Sequence, residues 1–130
     1  MKRLLWFTVA ITIVTFLAAC QGQPAPTDSG IAGKILLGPT CPVVRPGMED
    51  ECADKPYQAT VVVKTASGAR EVTRFQSDSK GLFRVLLQPG TYLLEPAPGG
   101  PILPHAAPMT VQVDAGMFTE VTIFYDTGIR

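Results

Sequence analysis

Apolar and polar residues alternate with a period of two along most of the chain after residue 30, and turn-forming residues separate the alternating runs. This pattern is typical of β-strands that bury one face. It predicts seven strands and no helix, at residues 30–37, 57–65, 70–76, 82–87, 91–95, 109–113 and 119–125. The residues expected to face the core are Ile31, Gly33, Ile35, Leu37, Ala59, Val61, Val63, Phe83, Val85, Leu87, Tyr92, Leu94, Met109, Val111, Val113, Thr119, Val121, Ile123 and Tyr125. Seven short strands at this spacing indicate an all-β antiparallel sandwich.

Two long loops interrupt the strands. Residues 39–56 contain four prolines, two cysteines and an acidic cluster, whereas residues 96–108 contain five prolines. Proline fixes one backbone angle, so the second loop is stiff for its length. A sandwich commonly presents its binding surface on such loops.

The hairpin at residues 78–94 is the most specific pattern in the chain. It reads Asp-x-x-Gly-x-Phe and then Leu-x-Pro-Gly-x-Tyr-x-Leu. This pattern resembles the carboxypeptidase regulatory-like family, and the likeness extends to residues 30–35, 56–61 and 109–124. The resemblance implies a seven-stranded Greek-key sandwich of transthyretin or prealbumin type. It also implies an accessory role without catalysis, and the insertion at residues 39–55 departs from the family pattern.

The N-terminal segment combines two basic residues, an apolar run and a cysteine. Lys2 and Arg3 precede an apolar run at residues 4–19 that is too short for a typical membrane-spanning helix. The tetrapeptide ending at Cys20, Leu-Ala-Ala-Cys, resembles a lipobox. We therefore expect residues 1–19 to be removed and Cys20 to carry a diacylglycerol and fatty acyl chains such as palmitate. An ordinary secretory signal with a chance cysteine is the alternative.

The segment after Cys20 predicts how the domain is held. Residues 20–29 comprise the lipidated cysteine and a polar tether rich in proline and glycine, and residues 30–130 form one domain. Two or three acyl chains anchor a protein almost permanently. Gln21, in place of an aspartate, allows an outer-membrane location. The predicted location is thus the bacterial cell membrane or outer membrane, outside the cytoplasm.

Charge argues against a nucleic-acid partner. The full chain has 11 basic and 11 acidic residues, and removing Lys2 and Arg3 leaves 9 against 11, a net charge of −2. Nucleic-acid binding requires a concentrated basic surface. The expected partners are the membrane and an envelope protein or glycan.

Cys41 and Cys52 are expected to form a disulfide, because they are the two remaining cysteines of an exported chain. The bond would contribute about 3 kcal/mol by the chain-entropy model. A zinc site is disfavoured, since His105 is the sole histidine and the cysteines lack paired spacing.

An acidic cluster raises the alternative of a calcium-binding or carbohydrate-binding module that uses the Cys41–Cys52 loop. Calcium prefers several oxygen ligands close together. The cluster lacks the alternating spacing of an EF-hand, so a solvated charge run is the competing interpretation. Its members are Glu49, Asp50, Glu51 and Asp54.

Catalysis lacks an evident set of groups. Nucleophilic catalysis requires a base, and His105 lies alone in the proline-rich loop, where a solvated or packing role is expected. A Lys34–Asp126 isopeptide crosslink is a further alternative. Such crosslinks in related surface domains join lysine to asparagine, and because the chain has no asparagine, only an aspartate could take its place. We expect a non-catalytic protein without a cofactor and with a structural or recognition role. An enzyme with an unrecognised site is the third hypothesis.

Overall fold

A computed structural model describes residues 28–130, and every regular element within this range is a β-strand. The strands, numbered β1 to β8 in chain order, are Gly30–Gly38, Lys55–Pro56, Thr60–Thr65, Glu71–Gln76, Leu82–Leu86, Gly90–Pro96, Met109–Val113 and Phe118–Asp126. The all-β prediction is therefore confirmed. The strand beyond the predicted seven is β2, a two-residue segment at the end of the first long loop.

The strands form two sheets that enclose one core. In the first sheet, hereafter the β1 sheet, β8 lies on one side of β1, while β5 and β2 share the other side. The second, the β3 sheet, has the order β4-β3-β6-β7. Side chains buried between the sheets make the molecule a β-sandwich, as the alternating pattern predicts.

The β1–β8 pair departs from the antiparallel expectation. These strands run parallel over nine positions, from Gly30 opposite Phe118 to Gly38 opposite Asp126, whereas the other strand pairs are antiparallel. No hairpin joins β1 to β8, so no turn dictates their relative direction. Gly33 permits their approach, because a β-carbon at this position would collide with the carbonyl oxygen of Val121.

The core contains the residues that the period-two pattern assigns to it. The largest fully buried apolar side chains are Tyr125, Ile31, Ile35, Leu94 and Ile123. Phe75 of β4 and Phe83 of β5 stack across the two sheets with ring centroids 4.7 Å apart. The alternation thus identifies the buried face of every long strand except β4, to which it assigned no core residue.

The turn before β5 lies where β1 changes its partner strand from β5 to β2. The Asp78 carboxylate accepts 2.8 Å hydrogen bonds from the amides of Lys80 and Leu82, and Gly81 has a φ of 73°. Glycine adopts this conformation without strain. The Gly81 carbonyl then accepts from the Ile35 amide at 2.8 Å, at the point where β1 changes partner from β5 to β2.

The two ends of the sandwich differ. Gly30, next to the tether, begins β1, and Gly38 ends it about 26 Å away at ~3.3 Å per residue. The two long loops and the C-terminal residues all lie at the Gly38 end. We call this the loop end, and it comprises residues 39–54 (the disulfide loop), 97–108 (the proline-rich loop) and 127–130.

Candidate functional site

The loop end is held together by hydrogen bonds between segments that are distant in sequence. The Thr127 amide donates to the Gly38 carbonyl at 3.0 Å, and the Thr127 hydroxyl donates to the Pro39 carbonyl at 2.6 Å. These bonds connect the residues after β8 with the start of the disulfide loop. The base of this loop is therefore fixed to the sandwich.

The disulfide loop is closed by the predicted bond. Cys41 and Cys52 are linked with their α-carbons 5.3 Å apart, within the normal range, and Cys52 is buried. Within the loop, the Cys52 amide donates to the Met48 carbonyl and the Met48 amide donates to the Arg45 carbonyl, both at 3.0 Å. The covalent bond and these turns together define the loop conformation.

The proline-rich loop is attached to the end of β8. His105 and Asp126 form a two-way backbone bridge, with hydrogen bonds of 3.2 and 2.8 Å. The Gly99 amide donates to the Pro104 carbonyl at 3.0 Å and closes the loop on itself. The His105 side chain is exposed. The histidine thus contributes its backbone to the fold, a role that its side-chain chemistry does not predict.

Two tyrosines lie against the start of the proline-rich loop. The Tyr125 hydroxyl donates to the Ala97 carbonyl at 2.6 Å, and the Tyr125 ring lies 4.9 Å from that of Tyr57. Burial raises the pKa of Tyr125 to about 12, with a smaller contribution from Tyr57. Tyr125 therefore stays protonated and keeps its hydrogen bond to a higher pH than a tyrosine of ordinary pKa would.

An ion pair closes the C-terminus. Arg130 contacts Asp126 at 2.6 Å, and the Gly128 amide donates to the same carboxylate at 2.8 Å. The hydrogen bond from Arg130, followed by that from the Gly128 amide, lowers the pKa of Asp126 to about 2. The Lys34–Asp126 crosslink is not supported, since Lys34 lies opposite Thr122, four register positions or about 13 Å from Asp126.

Apolar side chains project into solvent from both long loops. The exposed fraction reaches 82% for Ile102 and 68% for Val43, and the other exposed apolar members are Val44, Met48 and Leu103. Exposed apolar patches commonly mark interaction sites, so these five side chains are the candidates for one at the loop end. The sequence predicted the two loops as a binding surface but did not single out these residues. Their position between prolines, outside the predicted strands, was a signal that they have no core to enter.

The carboxylates of the acidic cluster that have contacts make them separately. The Glu49 carboxylate accepts from the Gly47 amide at 2.9 Å, while the Asp54 carboxylate lies against Gly38 at the base of the loop. Asp50 and Glu51 are exposed. Across residues 28–130, no three histidine, cysteine, aspartate or glutamate side chains come together as potential metal ligands.

An open groove of about 630 Å³ lies at the other end of the sandwich, between the outer edges of β4 and β5. Its lining includes Val72, Leu86 and the ring of Tyr92, and its charged side chain is Arg70. A smaller cavity of about 230 Å³ adjoins Tyr57 and Pro98 near the loop end. Neither lining brings a carboxylate together with a histidine, so neither cavity presents a general acid–base pair.

The lipidation prediction at Cys20, the signal at residues 1–19 and most of the tether lie outside the described residues. Within the part of the chain that the structure describes, no helix is long and apolar enough to cross a membrane.

Comparisons with known proteins add information about the fold alone. Profiles of known protein families give no match, and neither do the curated protein sequences. Among solved structures, the chain is similar to the TIE protein of Bacillus anthracis, with a TM-score of 0.51 and 18% identity. The likeness covers 76% of this chain but 17% of that one. It supports a β-sandwich fold.

Proposed function

We propose that the chain is a non-catalytic lipoprotein of the bacterial cell envelope, which binds an envelope protein or glycan through its loop end. The direction of β1 carries this proposal, because β1 begins beside the tether at Gly30 and ends at Gly38 beside both long loops. The point where the tether joins the sandwich and the loop end are thereby separated by the length of β1. A partner can reach the loops while the lipid holds the chain.

The composition and stiffness of the loop end favour a recognition role. Ile102 and Val43 are highly exposed apolar side chains of the type that forms the centre of protein interfaces. The loops that carry them are restrained by the Cys41–Cys52 bond and by the His105–Asp126 bridge. Restrained loops lose less conformational entropy when they bind, which increases affinity.

The finer fold assignment is part of the same proposal. We assign the chain to the seven-stranded, Greek-key, transthyretin-like sandwiches of the carboxypeptidase regulatory-like family. Once the short β2 is set aside, seven strands remain, in sheets of three and four. Support also comes from β6, which lies beside β3 rather than beside the preceding strand β5, as Greek-key connections require.

Photo-crosslinking in intact cells tests the recognition role. A photoreactive residue is placed at Ile102 or Val43, and the matched control carries it at Thr110, on the exposed face of the β3 sheet. We expect a discrete crosslinked product from the two loop positions and not from Thr110. Protease sensitivity then separates a protein partner from a glycan. Identical products from all three positions would contradict the assignment to the loop end.

Membrane fractionation tests the anchor separately. Replacing Cys20 by serine removes the thiol that would accept the diacylglycerol, so the protein should move from the membrane fraction to the soluble fraction. Labelling with radioactive palmitate should disappear in the same variant. Retention of Cys20→Ser in the membrane fraction would contradict the anchor without affecting the crosslinking result.

A further inference from the structure

The solvent-facing side of the β1 sheet has an exposed apolar surface that the core does not use. Leu82 and Leu86 of β5 are 50% and 57% exposed, and Phe124 of β8 is 49% exposed. Leu36 and Phe118 lie half-buried on the same side. We call this surface, formed by residues 30, 32, 34, 36, 56, 82, 84, 86, 118, 120, 122 and 124, the β1 outer face.

Strand register places these side chains in rows across the face. Gly30 lies between Leu86 and Phe118, and Leu36 lies between Pro56 and Phe124. Apolar rows thus occur at both ends of the face. Between them, Ala32 has Arg84 on one side and Glu120 on the other, and Lys34 lies between Leu82 and Thr122.

The charges of the face are two cations and one carboxylate. Lys34 and Arg84 are exposed, and neither belongs to an ion pair among the described residues. The Arg84 guanidinium carbon lies 3.4 Å from the centroid of the Phe118 ring. This contact presents a positive charge on an apolar base, an arrangement that suits the boundary between lipid headgroups and acyl chains.

The outer face of the β3 sheet is different. There Lys64 pairs with Glu95 at 2.6 Å, Arg74 pairs with Glu71 at 2.8 Å, and the Thr91 hydroxyl is 3.0 Å from Gln112. These charged side chains therefore have partners within the protein. The two faces thus differ in that the cations Lys34 and Arg84 of the β1 outer face have no carboxylate partner among the described residues.

We propose that the β1 outer face rests on the surface of an anionic lipid bilayer, with Leu82, Leu86 and Phe124 against the headgroup region. This inference rests on the proposed anchor at Cys20. Residues 20–29 span at most about 33–36 Å, and they join the sandwich at Gly30, within the first row of the face. The tether therefore permits the whole face, about 26 Å long, to reach the headgroups. The loop end then points along the membrane plane, towards neighbouring envelope components.

Tryptophan fluorescence tests this orientation. Trp6 is the sole tryptophan of the chain and lies in the predicted signal, so the mature protein should have none. Single tryptophans are introduced as Leu86→Trp or Phe124→Trp on the β1 outer face, and as Thr110→Trp on the opposite face. Each lipidated protein, purified from cells as processed there, is reconstituted into vesicles of phosphatidylcholine and phosphatidylglycerol whose acyl chains carry bromine, a contact quencher.

We expect bromine to reduce the emission of the Leu86→Trp and Phe124→Trp proteins at least about twofold, and to leave Thr110→Trp nearly unchanged. Adding Lys34→Glu and Arg84→Glu should restore the emission, since each basic residue near an anionic surface increases affinity about fivefold. Equal quenching on both faces, or none on either, would overturn the proposal. A shift of the Leu86→Trp emission spectrum that depends on protein concentration and not on brominated lipid would also overturn it. A second copy of the chain would then cover the face.

The same samples separate this inference from the proposed function. Flotation of the vesicles reports whether the protein is anchored, and tryptophan emission from the unsubstituted protein reports whether the signal was retained. An anchored, processed protein without quenching at residue 86 contradicts only the orientation. A protein that does not float contradicts the anchor itself.

Discussion

The Tyr125 hydroxyl donates a 2.6 Å hydrogen bond to the Ala97 carbonyl and so joins the end of β8 to the start of the proline-rich loop. The Tyr125 side chain is fully buried. This hydrogen bond therefore connects a core side chain to the backbone of the loop end. Removing its donor would leave the carbonyl without that partner in a partly buried position.

Replacing Tyr125 by phenylalanine should lower the free energy of unfolding by about 1–2 kcal/mol, the usual effect of one lost hydrogen bond whose acceptor remains. Tyr92→Phe is the matched control, because the Tyr92 hydroxyl bonds the Gln88 carbonyl at 2.7 Å in an exposed position where water can replace it. Urea denaturation measures both. An effect of Tyr92→Phe equal to that of Tyr125→Phe would contradict the structural role of this contact.

Asp126 should make stability depend on acid pH. Its folded pKa of about 2 lies below the ordinary value of 3.8, mainly because of Arg130. The corresponding stabilisation is present above pH ~4 and is lost as pH falls through about 2, since the unfolded chain binds the proton first. Asp126→Asn should therefore reduce the loss of unfolding free energy between pH 4 and pH 2. The control Asp114→Asn, in the exposed turn after β7, should follow the original protein.

Gly33→Ala tests the close approach of β1 and β8. The new methyl group would collide with the Val121 carbonyl oxygen, so we expect a loss of about 2–3 kcal/mol in unfolding free energy. Gly47→Ala in the disulfide loop has open space around it and a φ of 89°, so it should cost only the backbone strain of about 1–2 kcal/mol. A smaller effect at Gly33 than at Gly47 would count against the parallel register.

The sequence predicted the long strands and their buried faces because alternation is a local property. Residues such as Ile31, Val61 and Leu94 occupy the core that period two assigns to them. The antiparallel expectation was wrong for the β1–β8 pair, which is parallel, since its direction depends on contacts between residues 88 positions apart, such as Gly30 and Phe118. The Thr127–Pro39 hydrogen bond likewise joins residues 88 positions apart, so no local sequence pattern predicts it.

The candidate site was predicted in part. The cysteine count, together with the expectation of an exported chain, predicted the Cys41–Cys52 bond, which the structure confirms. The acidic residues suggested a calcium site because they are close in sequence. In the structure, the carboxylates of Glu49 and Asp54 make separate contacts. Proximity along a loop does not determine side-chain direction. The exposed Ile102 was missed because apolar residues are expected to be buried.

Breaking the disulfide should destabilise the protein and weaken partner binding through the same loop. Substituting both Cys41 and Cys52 by serine removes a cross-link across 11 residues of sequence, which contributes about 3 kcal/mol by loop-closure entropy. Crosslinking from Val43 should fall, whereas crosslinking from Ile102 in the other loop should fall less. Denaturation curves and crosslinking yields provide the measurement, and unchanged values for both would refute the role of the bond.

The binding of the purified soluble form to isolated cell envelopes tests the central claim most directly. The Cys20→Ser protein, which lacks the proposed anchor, is titrated onto envelopes with and without a second substitution at the loop end. We predict that Val43→Asp combined with Ile102→Asp weakens saturable binding at least about tenfold, because a charge in an apolar contact is strongly unfavourable. The control Thr110→Asp, on the exposed face of the β3 sheet, should bind like the parent. Equal affinities for the loop-end variant and for Thr110→Asp would contradict recognition through the loop end.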